Sequence, residues 1–67
     1  MIFKIKDKRE ALRISQTELG RRLNVTPQVV HHWEAGTADP RARDLPAIAK
    51  ALECEHIDDL YPEELRP

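Results

Sequence analysis

Cysteine is nearly missing from these 67 residues. Cys54 stands alone, so no internal disulfide can staple the chain, and Cys54, His56, His31 and His32 lack the spacing of a zinc site, which leaves no metal ligand set. Long apolar runs are missing as well. Nothing approaches the roughly 18 apolar residues that cross a bilayer, which excludes a membrane partner. The basic start Met-Ile-Phe-Lys-Ile-Lys lacks the apolar stretch of ~7–15 residues that a secretory signal needs, so a cytoplasmic protein is expected. There is no glycine-rich phosphate loop, no orienting constellation around Cys54 and almost no room for a pocket. The expectation is a protein that is no enzyme, takes no cofactor and has no small-molecule effector. With two glycines and one each of Phe, Trp and Tyr, the apolar content is Leu, Ile, Val and Ala, which suits short packed helices better than a sheet.

A clear excess of either charge is also lacking. The net charge is −1, which taken alone argues against a nucleic-acid partner. Its distribution does not. Residues 1–43 carry nine Lys and Arg against five acids, while residues 44–67 carry two against seven, so a basic half and an acidic half coexist in one near-neutral chain. The length suffices for a single domain, 1–67, with a core over 4–61 and a loose tail at 62–67.

What is present reads as successive short helices in an all-α, five-helix fold. The first spans roughly 3–12, with Ile5, Arg9 and Leu12 on one side. Ser15-Gln16-Thr17-Glu18 is a capping-box pattern, with Ile14 and Leu19 placed as its hydrophobic staple. Helix 2 therefore starts at Gln16, buries Leu19 and Leu23, and ends at Asn24, a residue that tolerates the left-handed conformation. Thr26-Pro27 repeats the start logic for helix 3, which runs over 27–35 and stops at Gly36. Val30 and Trp33 point inward; Gln28, Val29 and His32 point outward. Residues 36–43 form a loop around Pro40. Asp44 caps a fourth helix over 45–52, and a last helical turn covers Ile57 to Tyr61 before Pro62.

Residues 16–35 thus form two short helices joined by a tight turn, a supersecondary unit whose second helix can enter a major groove. Such a unit needs a very small side chain where the helices cross, and Gly20 supplies it despite the ~1 kcal/mol that mid-helix glycine costs relative to alanine. Ile14-Ser15-Gln16-Thr17-Glu18-Leu19-Gly20 through Trp33-Glu34-Ala35-Gly36 resembles the Cro/C1-type (XRE) helix-turn-helix family. Lys-Asp-Lys-Arg at 6–9 and Leu-Pro-Ala-Ile-Ala-Lys-Ala-Leu at 45–52 resemble the flanking helices of lambdoid phage repressor domains. The chain departs from the family at Ala35, where Asn is usual, at Thr37, where Lys is common, and at Arg13 and Asn24, where Gly is common. The segments 37–43 and 53–57 are each about one residue longer.

The resemblance implies a sequence-specific regulator of transcription, a repressor, that binds double-stranded DNA. Gln28 lies in the first turn of helix 3, where a carboxamide can bond adenine N6 and N7 together. Pro27 and Val29 suit thymine methyl groups, and His32 reaches a base edge one turn on. The resemblance places Gln16, Thr26, His31, Thr37, Arg41 and Arg43 at the phosphate backbone. It also implies a structural ion pair between Arg9 and Glu34. Proteins of this size bind pseudo-palindromic operators as homodimers, because one reading helix supplies too little affinity. Ile57, Leu60 and Tyr61, with Leu65 beside them, are the candidate dimerisation set, although they would equally complete the core. The competing expectation is an adaptor or antitoxin-like module that uses the same fold to bind a protein, which the near-neutral charge and the missing Lys favour.

Overall fold

Four backbone reversals punctuate the chain, one after each α-helix, the last at Glu53 with φ of 58°. Arg13, Asn24 and Gly36 all take the left-handed conformation, with φ of 58°, 58° and 78°. They end three α-helices: α1 (Ile5–Ala11), α2 (Gln16–Leu23) and α3 (Pro27–Ala35). A fourth, α4 (Leu45–Ala51), follows a 3-10 turn at Ala42–Asp44, and further 3-10 turns lie at Ile57–Leu60 and Glu63–Leu65. The computed structural model describes residues 2–65, and among them there is no strand. The architecture is all-α, with four α-helices where the sequence pattern suggests five.

Helix starts follow the caps. Ser15 Oγ accepts the Glu18 N–H at 2.9 Å, and Thr26 Oγ1 accepts the Val29 N–H at 3.3 Å with Pro27 in the first turn. Only half of the expected capping box forms at Ser15. The Glu18 carboxylate turns instead to Arg21, at 2.9 and 2.7 Å, and to Arg22, at 2.9 Å. These two guanidinium groups bring its pKa down to about 2. The cluster is a solvent-facing lattice of i,i+3 and i,i+4 pairs, which contribute little to stability individually.

Two further differences from the sequence pattern lie at the chain's two ends. The first helix begins at Ile5 and not at residue 3. Phe3 precedes it, buried in the core with its ring centroid 5.2 Å from that of Tyr61. The Lys4 N–H donates to the Leu60 carbonyl at 2.7 Å, which ties the first segment to the last turn. The predicted fifth helix is a 3-10 turn, with Asp59 Oδ2 accepting the His56 N–H at 3.4 Å. Asp44 behaves alike. It makes no side-chain cap on α4, but accepts the Arg41 N–H at 3.1 Å and closes the turn inside the expected 36–43 loop. The chain continues past Pro62 into the Glu63–Leu65 turn, and the rest of the expected loose tail, 66 and 67, lies outside the described residues.

The core collects Phe3, Ile5, Leu19, Val30, Trp33, Leu45, Ile48, Ala49, Leu52 and Leu60 from every helix and both ends. Leu60 corrects an expectation. It is 0% exposed, so it is a core residue and offers no surface to a second subunit; Ile57 and Tyr61 are half-buried. No helix among the described residues is long and apolar enough to cross a membrane.

Arg13 holds φ at 58° while its side chain is exposed. A Cβ in that region costs roughly 1–2 kcal/mol, part of which glycine returns through the greater freedom of its unfolded chain. Arg13→Gly is therefore expected to raise stability by about 1 kcal/mol, read as a higher urea midpoint at unchanged slope.

Candidate nucleic-acid interface

The interface rests on how closely α2 and α3 approach. Gly20 is buried at their junction, and its carbonyl accepts the Val25 N–H at 2.9 Å across the turn. A Cβ built on Gly20 would stand 2.6 Å from the Val25 carbonyl oxygen and 3.3 Å from the Thr26 carbonyl carbon. Both are backbone atoms, so the turn has no flexible side chain to move aside. The glycine thus sets the separation of the two helices, and with it the position of α3 relative to the start of α2.

On α3 the helical period sorts the side chains. Val30 and Trp33 pack into the core at 0% and 7% exposure, while Pro27, Gln28, His31 and His32 are exposed. Val29, expected to point outward, is half-buried and packs against the core, which leaves only part of its surface for a thymine methyl. The rings of His31 and His32 lie 5.8 Å apart. The imidazole of His32 also meets Thr37, whose Oγ1 is 2.8 Å from its Nδ1. Arg41 and Arg43 are exposed in the segment that follows. Arg21 and Arg22 point elsewhere: both pair with Glu18, and Arg22 Nη1 also donates to the Ala51 carbonyl at 3.1 Å.

Behind this face a charged network joins three elements. Arg9, on α1, donates through Nε and Nη2 to the Glu34 carboxylate of α3 at 2.7 and 3.1 Å. Its Nη1 reaches the Ile14 carbonyl in the α1–α2 turn at 2.8 Å. Gln16, the first residue of α2, donates from Nε2 to Glu34 Oε1 at 3.0 Å. The two charged side chains are only 12% and 4% exposed. Burial pushes the Glu34 pKa up, but the hydrogen bonds from Arg9 and Gln16 outweigh it, and the net direction is downward. The carboxylate therefore stays ionised and fixes which end of the Gln16 amide faces inward. One Nε2 hydrogen points at Glu34; the second, with the unsatisfied N–H groups of the first turn, is left for an external acceptor.

The Gln16 bond to Glu34 and the His32 bond to Thr37 have no local sequence signal. The first joins residues 18 apart, and the second depends on the reversal at Gly36. Cys54 stays outside the interface. It is half-buried, with its thiol pKa pushed up by burial.

Comparison with known proteins agrees with this geometry. The family profile described as Helix-turn-helix matches residues 5–60. Repressor protein C2 of Salmonella phage P22 is 33% identical over 51 residues, which cover 76% of this chain and 24% of that protein. The chain thus spans about a quarter of the phage repressor's length. An uncharacterized HTH-type transcriptional regulator of Methanothermobacter thermautotrophicus is 37% identical over 57 residues, covering 85% of this chain and 83% of the other. Among solved structures, the P22 c2 repressor in complex with synthetic operator 9T superposes with a TM-score of 0.79 at 33% identity, over 87% of this chain and 86% of that one. By profile, relatives and fold, this chain belongs to the Cro/C1-type (XRE) helix-turn-helix family.

Proposed function

We propose that this protein is a sequence-specific regulator of transcription, a cytoplasmic repressor that docks α3 in the major groove of double-stranded DNA. The observation that carries the reading is the pairing of Gln28 and His32. They sit one helical turn apart on the exposed side of α3, opposite the Val30 and Trp33 anchors. The P22 relative, solved in complex with synthetic operator 9T, supports DNA as the partner. Gln28 reads a base edge through its carboxamide, with Pro27, the open part of Val29 and His32 beside it. Gln16, with the amides of the first turn of α2, holds a phosphate; Thr26, His31, Arg41 and Arg43 supply further backbone contacts.

A homodimer on a pseudo-palindromic site sets two such helices about 34–36 Å apart. Leu65 is exposed and Ile57 and Tyr61 are half-buried, so these three of the C-terminal apolar residues retain surface for that contact.

Salt separates the phosphate anchors by charge. Each neutralised phosphate contributes about −0.9 to the slope of log affinity against log salt. Replacing Arg41 and Arg43 together by alanine is expected to flatten that slope by about one to two units. Gln16→Ala, which removes no charge, is expected to weaken binding equally for all duplexes at an unchanged slope. Duplex titrations at several salt concentrations read both. A folded wild-type protein that binds no duplex at low salt would contradict the proposal and point to a protein partner.

A further inference from the structure

Thr37 stands where it can decide what His32 offers to a base. Gly36, at φ 78°, turns the chain back over the end of α3, and the next residue brings its hydroxyl to 2.8 Å from His32 Nδ1. The left-handed backbone at Gly36 suits glycine, and the exposed Ile2 side chain lies over it.

The direction of the proton follows from the neighbouring carbonyl. The His32 C=O already accepts N–H groups from Gly36 at the cap, from Thr37 at 3.1 Å and from Ala38 at 3.3 Å. Three N–H donors already share that oxygen, and the Thr37 hydroxyl, also directed at it, reaches it only at 3.4 Å. That crowding favours donation of the hydroxyl proton to Nδ1, 2.8 Å away, over the carbonyl. A neutral imidazole that accepts at Nδ1 carries its own proton on Nε2.

We infer that Thr37 is a positioning residue which locks neutral His32 in the Nε2–H tautomer, so that α3 presents a hydrogen-bond donor at this position and selects against cytosine. This rests on the reading of α3 as the DNA-recognition helix. In the major groove guanine offers N7 and O6, adenine N7 and thymine O4 as acceptors, whereas cytosine offers only its N4 amino donor. An Nε2–H is accepted by the first three and repelled by the last. The opposite tautomer would reverse the preference. The Thr37 hydroxyl is accordingly an internal partner of the reading helix and not a phosphate contact.

Two measurements on wild type, Thr37→Val and Thr37→Ser test this. Long-range proton–nitrogen NMR spectra of the free proteins, taken well above the ordinary histidine range, report the tautomer without any DNA. Sequencing of the fraction bound from a randomised duplex pool reports base preference. The expected result is Nε2–H in wild type and Thr37→Ser, mixed tautomers in Thr37→Val, and about a fivefold loss of discrimination against cytosine at one position in Thr37→Val alone, the scale of one hydrogen bond. An Nδ1–H spectrum in wild type overturns the inference, as does an unchanged base preference in Thr37→Val. If no protein binds duplex selectively while the spectra show the lock, it is the DNA reading that fails, and the base preference fails with it.

Discussion

Glu34→Ala is expected to destabilise the domain by about 3 kcal/mol or more, which for a chain of this size removes most of the folding free energy. The reason is desolvation. Arg9 is 12% exposed and has its guanidinium held by Glu34 on one side and the Ile14 carbonyl on the other. Removing the carboxylate leaves a cation that is neither hydrated nor paired, and breaking a buried pair on one side costs far more than the pair contributes over apolar residues of the same shape. The double replacement Arg9→Met, Glu34→Leu is therefore expected to recover most of the loss. Urea unfolding of the two variants reads the difference directly; equal destabilisation would show that packing of the two side chains, and not the unpaired charge, sets the effect.

Acid tests the same network. The folded-state pKa of Glu34 lies below its ordinary value of 4.5, so its contribution is complete above the unfolded value and is lost as the pH falls through the folded one. Thermal midpoints should decline on acidification over that range, and less so in the Arg9→Met, Glu34→Leu protein.

Gly20→Val is expected to cost about 3 kcal/mol, at the upper end of overpacking penalties. The first atom of the new side chain would already lie 2.6 Å from the Val25 oxygen, a backbone atom of the turn between the reading unit's two helices. Valine adds two methyl groups there, with a stiff χ1. Gly20→Ala is informative for the opposing terms it contains. Helix propensity gains ~1 kcal/mol, and the clash exceeds that gain, so the net effect is a loss of about 1 kcal/mol. An alanine variant more stable than wild type would show that the turn can open freely.

These two sites show what a sequence of this kind makes legible. Gly20, the caps Ser15 and Thr26, and the reversals at Asn24 and Gly36 are local features, because each is a residue type matched to one backbone demand within four positions. From them the bounds of α2 and α3 follow to the residue. The ends were not legible. Phe3 is adjacent to a helical pattern, but it is held out of the helix by its ring contact with Tyr61 and by the bond from the next residue, Lys4 N–H, to the Leu60 carbonyl, both partners lying at the far end of the chain. Leu60 reads equally as surface or core on a short apolar segment, and only the folded arrangement, in which its turn packs against α4 and bonds the first segment, decides for the core. In the candidate interface, the exposure of Gln28 and His32 follows from helical period. The partners that fix Gln16 and His32 do not, since they depend on where the third helix and its reversal come to lie.

The measurement that bears most directly on the account is a fluorescence-anisotropy titration of wild type and a Gln28→Ala, His32→Ala double variant against a randomised duplex pool and duplexes selected from it, at two salt concentrations. Both side chains are exposed, so the variant is expected to remain folded. The account predicts that it keeps salt-sensitive binding and loses discrimination among duplexes, because phosphate anchors position while base contacts specify. A folded variant that discriminates as well as wild type would contradict the assignment of α3 as the reading helix.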